Sequence, residues 1–376
     1  MSRPAKSIFL IAGEASGDLH GANVVRAIRR MDPDIAVTGI GGAHLRDAGM
    51  ETLIDASALS VVGITEVIAH LPVIFSSLAA VKRALRERRP DLVLLIDYPD
   101  FNLRVARMAK GLGIPVFYYI SPQIWAWREN RVRTIARRID HMAVILPFEA
   151  DFYKKHGVPV TFVGHPLMDT PLGAEVPRER PLEGPAVIGL LPGSRTGEIR
   201  RLLPVMIESA RRIAEHSPAT RFLLSRAPGV EASLLRALLP EGFPVEIADD
   251  LSDVFRQAAL VVAASGTVTL QSAIQGIPMI IVYKVSPISY RLGKWLIKVP
   301  HIGLINLIAG RKIVPELIQD EADGPNIAQT ALRMLGDPLL LQTMRNDLLE
   351  ARRILGGPGA SERAARIALS FLEHRP

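Results

Sequence analysis

Apolar residues along the chain fall into short runs rich in Val, Ile and Leu, separated by longer stretches in which they recur every three or four positions. In the first half the runs are SIFLIA (7–12), IAVTGI (35–40), LVLLID (92–97), PVFYYI (115–120), MAVIL (142–146) and VTFVG (160–164). Helical patterns such as 19–30 and 103–112 lie between them. Strands that are apolar on both faces and spaced by helices predict a parallel sheet covered on both sides. Over 170–185 the alternation lapses into TPLGAEVPRERPLEGP, dense in Pro and Gly, which predicts a linker. It then restarts with AVIGLL (186–191), RFLLS (221–225), VEIA (245–248), LVVAA (260–264) and MIIVY (279–283). The tail, from about 326 to 373, reads as helix with breaks at Asp337-Pro338 and at Gly356 to Gly359.

The expected fold class is therefore α/β, with two Rossmann-like domains facing a cleft and a helical C-terminal tail. The expected boundaries are an N-terminal domain over 1–169, a linker over 170–185 and a second domain over 186–354. A terminal helix over 355–376 can pack back on the first domain. In open parallel sheets ligands collect beyond the carboxyl ends of the strands, so chemistry is sought in the loops that follow them.

Composition narrows the chemistry. With 48% hydrophobic and 22% charged residues in 376, the chain can bury large cores, which excludes disorder and low-complexity classes. It has no cysteine, so thiolate metal sites, disulfides and cysteine nucleophiles are out and the chemistry rests on oxygen and nitrogen groups. A net charge of +7 suits phosphorylated ligands or an anionic membrane surface, and is too small for a nucleic-acid reading. The apolar run near the N-terminus is too short for a signal peptide, so a cytoplasmic protein is expected.

Residues 61–81 form the longest apolar stretch, but Glu66, His70 and Pro72 interrupt it, which favours a buried or interfacial helix over a membrane span. Within it, Leu71, Val73, Ile74 and Phe75 surround the proline. A second stretch, 289–299, sets Trp295, Leu296 and Ile297 among Arg291, Lys294 and Lys298, a pattern suited to a membrane interface or to a core helix.

Five loops could carry chemistry. The first, Gly13-Glu14-Ala15-Ser16-Gly17-Asp18 with His20 just beyond, joins a strand to a helix; it lacks the GxGxxG spacing, and Ser16 or Asp18 could simply cap the helix. The second, IDYPDFN, puts Asp97 at a strand end, where burial can raise a carboxylate pKa into the range of a general base, while Asp100 is suited to capping. The third, SPQIWAWR, holds two of the three tryptophans beside Arg131, Arg133, Arg137 and Arg138 and suits either stacking or plain packing. The fourth, Leu191-Pro192-Gly193-Ser194-Arg195, and the fifth, Ser265-Gly266-Thr267, both lead into helices and offer amides to a diphosphate.

The strings GEASGD, IDYPDFN, SPQIWAWR, LPFE, VGHP, LPGSR, ASGT and NLIAGRKIVPELIQ follow one another between about residues 8 and 319. In that order they closely resemble the lipid A disaccharide synthases, glycosyltransferases of GT-B architecture. The resemblance implies transfer of 2,3-diacylglucosamine from its UDP derivative to 2,3-diacylglucosamine 1-phosphate. The products would be the β-1,6 disaccharide 1-phosphate and UDP, in lipopolysaccharide synthesis of a Gram-negative cell.

It also implies roles. Asp97 becomes the acid-base residue; Gly193, Ser194, Arg195, Ser265, Gly266, Thr267, Gln271, Asn306 and Glu316 belong to the UDP-donor site; and Gly13, Glu14, Ser16, Gly17, Asp18 and His20 close over the substrates. Gln271 stands where related donor sites more often carry Glu for the ribose, and its carbonyl can still accept one hydrogen bond. No cofactor and no metal are expected, because an arginine and helix amides can neutralise the departing diphosphate. The expected partners are the two acylated sugars and the cytoplasmic face of the inner membrane, bound peripherally. The oligomeric state is left open, with a homodimer admitted. A UDP-N-acetylglucosamine 2-epimerase and a non-catalytic nucleotide-binding protein remain as alternatives.

Overall fold

In the computed structural model, which describes residues 6–58, 64–177, 184–287, 290–291 and 299–373, the chain forms two compact units, residues 1–169 with 355–376 and residues 170–354. The first unit is built on seven strands: β1 (Ser7–Ala12), β2 (Ala36–Gly41), β3 (Glu51–Asp55), β4 (Leu92–Ile96), β5 (Val116–Tyr119), β6 (His141–Val144) and β7 (Val160–Phe162). They lie in the order β3-β2-β1-β4-β5-β6-β7, and every pairing is parallel.

Successive side chains of a strand point to opposite faces, so a strand covered on both sides must be apolar throughout. On one face Phe9, Ile11, Val93, Leu95 and Tyr118 pack against the helices Ile64–Arg88, Pro99–Gly111 and Val132–Arg138. On the other, Ile8, Leu10, Leu92, Leu94 and Phe117 meet the helix Ala15–Met31 and the terminal helix Ala360–Glu373. Each fully buried Leu, Ile or Phe is worth roughly 1.5–3 kcal/mol.

The terminal helix is fastened to this unit by polar contacts as well. Asp169 accepts hydrogen bonds from the backbone N–H groups of Gly359 (2.6 Å), Ala360 (3.0 Å) and Ser361 (2.8 Å), which satisfies orphan donors of the helix start. Arg363 Nε donates to the carbonyl of Val163 at 2.8 Å.

The second unit repeats the plan with β8 (Val187–Leu191), β9 (Arg221–Ser225), β10 (Val245–Ala248), β11 (Leu260–Ala264), β12 (Met279–Tyr283) and β13 (Glu316–Ile318), ordered β10-β9-β8-β11-β12-β13 and all parallel. The fold class is α/β with two Rossmann-like units, as the apolar pattern predicts. The first residues of the expected linker are not free chain. Pro171–Ala174 is a short helix, Gln275 Nε2 donates to Leu172 O at 2.9 Å, and Arg352 Nη2 donates to Gly173 O (2.7 Å) and Glu175 O (2.9 Å).

Of the two stretches expected at a membrane, the first belongs to the helix Ile64–Arg88, in which Phe75 is 59% exposed and Val73 36%. The side chain of Leu71 lies outside the described residues, as do Lys294, Trp295, Leu296, Ile297 and Lys298 of the second. Among the described residues no helix is long and apolar enough to cross a membrane.

Candidate active site

Strand β4 ends at Ile96, and the next two residues, Asp97 (φ 45°) and Tyr98 (φ 47°), both adopt the left-handed conformation that L-residues avoid. The turn is held from inside. Asn102, fully buried in the following helix, donates its Nδ2 to Ile96 O (3.1 Å) and Asp97 O (2.7 Å), and the Tyr118 hydroxyl donates to the same Asp97 oxygen. This spends strain of about 1–3 kcal/mol per residue on one outcome, a carboxylate set just past the carboxyl edge of the sheet. Burial pushes the Asp97 carboxyl up to about 6, with the negative charge of Glu14 adding to the rise. The helix begins at Pro99, so the cap expected of Asp100 is absent; that residue sits in the first turn and pairs with Arg131 at 2.6 Å.

The first loop meets this turn. A Cβ on Gly13 would stand 2.5 Å from Tyr98 Cδ1, so only glycine lets the tyrosine ring lie on the loop backbone. Gly17 is packed against Ala12 and Ile96, Glu14 and Ser16 are exposed, and Glu14 is the N-cap residue without a side-chain cap bond. Asp18 does not cap its own helix: its carboxylate takes the N–H groups of Gly42 (2.6 Å), His44 (3.0 Å) and Leu45 (3.3 Å) at the start of the helix Ala43–Asp47 that follows β2.

His20 lies deeper. Burial lowers its pKa to about 4 against the opposing pull of Asp169, and its Nδ1 finds no hydrogen-bond partner. His165 is likewise lowered to about 4, by burial and then by His20.

In the third loop the two tryptophans part company. Trp125 Nε1 donates to the buried Glu149 Oε1 at 3.0 Å, Ser121 Oγ donates to the same oxygen at 2.8 Å, and the ring meets Phe148 edge-on at 4.8 Å. Burial raises Glu149 to about 7 despite these donors. Trp127 is exposed, with the Arg128 guanidinium 3.9 Å above its ring.

In the second unit a cavity of about 430 Å³ opens beyond the carboxyl ends of β8, β9, β10 and β11. Gly193, Ser194, Ser265, Gly266, Thr267 and Gln271 all line it. Arg195 does not; its exposed side chain starts the helix Thr196–His216, two residues from Gly193. The Glu198 carboxyl fills the space beside Gly193 (φ 105°), takes the Ser194 and Arg195 amides, and has its pKa raised by burial. Arg226 and Asp249, paired at 2.6 Å, also line the cavity.

Asn306 and Glu316 are brought together, but facing each other rather than the cavity. Asn306 (0% exposed) donates to Glu316 Oε1 at 2.7 Å and to Val314 O, and accepts from Ile313 and Val314 N–H. Glu316 (6%) also accepts from the N–H groups of Ile302 and Gly303, at 3.0 Å each. Donors and acceptors are matched internally, so this pair fastens the chain around β13 and gives no geometric ground for a donor-site role.

The profile of the lipid-A-disaccharide synthetase family matches residues 8–371. The chain belongs to that family. It is 48% identical over 377 residues to the lipid-A-disaccharide synthase of Geobacter metallireducens and 44% identical over 380 residues to that of Nitrosococcus oceani, covering 98% or more of every chain compared. As a lipid-A-disaccharide synthase it is a glycosyltransferase that moves 2,3-diacylglucosamine from UDP onto 2,3-diacylglucosamine 1-phosphate. Among solved structures the chain is similar to an S. aureus MnaA–UDP co-structure (TM-score 0.65, 14% identity, 99% of both chains). It is also similar to Acinetobacter baumannii MurG (TM-score 0.61, 14% identity, 98% of this chain and all of that one). At such identities the likeness is one of fold, shared by transferases and epimerases alike.

The supports of the site were not legible beforehand. Asn102 and Glu149 stand inside the strings IDYPDFN and LPFE, yet only their partners reveal them as anchors. Arg226 and Asp249 follow β9 and β10, where the carboxyl-edge rule would have found them.

Proposed function

We propose that Asp97 takes the proton from the acceptor's 6′-hydroxyl as that oxygen attacks the anomeric carbon, and that the cavity of the second unit holds the UDP that leaves. Inversion needs a base for the nucleophile and charge stabilisation for the leaving group. A carboxyl with a pKa near 6 is ionised at neutral pH and still a stronger base than a solvated aspartate. That raised carboxyl, set by a strained turn at the strand end, is the observation that carries the reading. For UDP, the support is the gathering of Gly193, Ser194, Ser265, Gly266, Thr267 and Gln271 around one cavity. The start of the helix Thr267–Ile274 adds unspent amides, and Arg195 is close enough in sequence to fold over a diphosphate there. Gln271 would meet the ribose through its carbonyl.

Both substrates carry acyl chains, so the enzyme must work where those chains rest. We infer peripheral attachment to the cytoplasmic face of the inner membrane, supported by the exposure of Phe75 and Val73. The experiment has two arms. Mass spectrometry of a mixture with both acylated glucosamines should show the disaccharide 1-phosphate, and incubation with UDP-N-acetylglucosamine alone should give no epimer. Flotation with anionic liposomes should carry the protein upward at low salt; protein left at the bottom of the gradient rejects the attachment and leaves the transferase reading standing.

A further inference from the structure

The first unit has a cavity of its own, of about 600 Å³, lined by Lys82, Arg86, Arg104, Arg107 and Arg138 together with Met108, Gly111 and Leu112. It is remote from Asp97. Lys82 and Arg86 come near the end of the helix that leads into β4, and Met108 to Leu112 lie where the next helix has run back from the Asp97 end. That places the cavity toward the amino edge of the sheet, about 13 Å of strand from the catalytic turn.

No carboxylate lines it, and among the described residues Lys82, Arg86, Arg104 and Arg107 make no hydrogen bond or ion pair. Arg138 donates to Leu103 O at 2.9 Å, and burial and the charges of Arg107 and Arg137 depress its proton affinity. Helix dipoles account for Arg86 and Arg138, which stand in last turns, but not for Lys82, Arg104 and Arg107. Five cations line one hollow with no carboxylate among them, a lining suited to an anion.

The neighbourhood says which kind. On a helix of 3.6 residues per turn, Phe75, Lys82 and Arg86 fall within about 20° of one stripe, with Phe75 some 10 Å along the axis from Lys82. The exposed aromatic ring and the cationic hollow therefore share one helix face. Met108 and Leu112 among the lining cations fit an amphiphile whose phosphate joins an acyl-bearing glycerol, rather than a wholly polar anion.

We propose that this cavity seats the phosphate of an anionic glycerophospholipid while Phe75 enters the same leaflet. The proposal rests on the peripheral attachment inferred above and gives it a specific headgroup site.

The test uses the full chain and vesicles of about three parts phosphatidylcholine to one part phosphatidylglycerol. The pair Arg104→Glu with Arg107→Glu should weaken vesicle binding at least about tenfold without shifting the unfolding midpoint. The pair Arg30→Glu with Arg333→Glu, an equal charge change at exposed sites outside the cavity, should cost less than about threefold. Equal losses from both pairs, or none from the cavity pair, would overturn the site and leave only diffuse attraction. Calorimetry with inorganic phosphate alone is the second arm. Phosphate binding that the cavity pair abolishes while flotation stays intact would reassign the hollow to a free anion. If the wild-type chain itself fails to float, the attachment falls, a result distinct from loss in the cavity pair alone.

Discussion

Asn102 donates its side-chain amide to the main-chain oxygen of Asp97 at 2.7 Å and to that of Ile96 at 3.1 Å, so one buried residue holds both sides of the strained turn that presents the carboxylate. Asn102→Ala takes a donor from two main-chain oxygens, of which Asp97 O keeps the Tyr118 hydroxyl, and should cost about 1–3 kcal/mol of stability. It should also lower kcat while leaving UDP affinity near normal, since the cavity proposed for UDP lies in the other unit. Chemical denaturation and calorimetry read the two effects separately; loss of UDP affinity in step with kcat would argue for general unfolding instead.

With Asp97 as the proposed base, its carboxyl sets the acid limb of the rate profile. It is held near 6 by burial and then by Glu14, and a base must be ionised to act, so kcat/KM should fall about tenfold per pH unit below about 6. Glu14→Gln removes the charge that raises the pKa, so the limb should move to lower pH. A limb that stays in place in this variant detaches Glu14 from the site.

Glu316→Gln separates fastening from donor binding. Its carboxylate accepts from Ile302 N–H, Gly303 N–H and Asn306, and an amide cannot accept at both positions. The unfolding midpoint should drop by the equivalent of about 1–3 kcal/mol, with UDP affinity of the folded fraction preserved. Unchanged stability with weakened UDP binding would restore Glu316 to the donor site.

The two buried histidines of the first unit make their own contribution to stability sensitive to acid. His20 and His165 are held neutral in the fold down to about pH 4, whereas the unfolded chain protonates them near 6.5. At these two sites protons favour the unfolded state, so their contribution is fully present above about pH 6.5 and is lost as pH drops toward 4, while Asp97 and Glu149, raised to about 6 and about 7 in the fold, oppose it over the same window. Urea titrations of wild type and His20→Leu across that window isolate the histidine: the variant should lose less stability toward acid than the wild type, and an identical pH dependence removes His20 from the account.

How far the sequence carried depended on where each residue lies. Interior strands such as β1 and β4 announced themselves because both faces are buried and every position from Ile8 to Ala12 and from Leu92 to Ile96 is apolar. The edge strands β3, ETLID, and β13, ELI, went unseen: β3 alternates exposed and half-buried residues, and β13 is three residues long with a buried glutamate. The position of Asp97 just past the end of β4 was legible from the apolar run before it. Its hold by Asn102 and Tyr118, like the Asn306–Glu316 pairing, depends on contacts between side chains and distant backbone, which spacing along one chain does not encode.

Replacing Asp97 by Asn tests the central claim most directly, because it keeps the size of the side chain and removes its basicity. Turnover of the two acylated sugars should fall at least about a hundredfold, while the unfolding midpoint and calorimetric UDP affinity remain those of the wild type. Near-normal turnover in a folded Asp97→Asn variant would contradict the account and send the base to another residue.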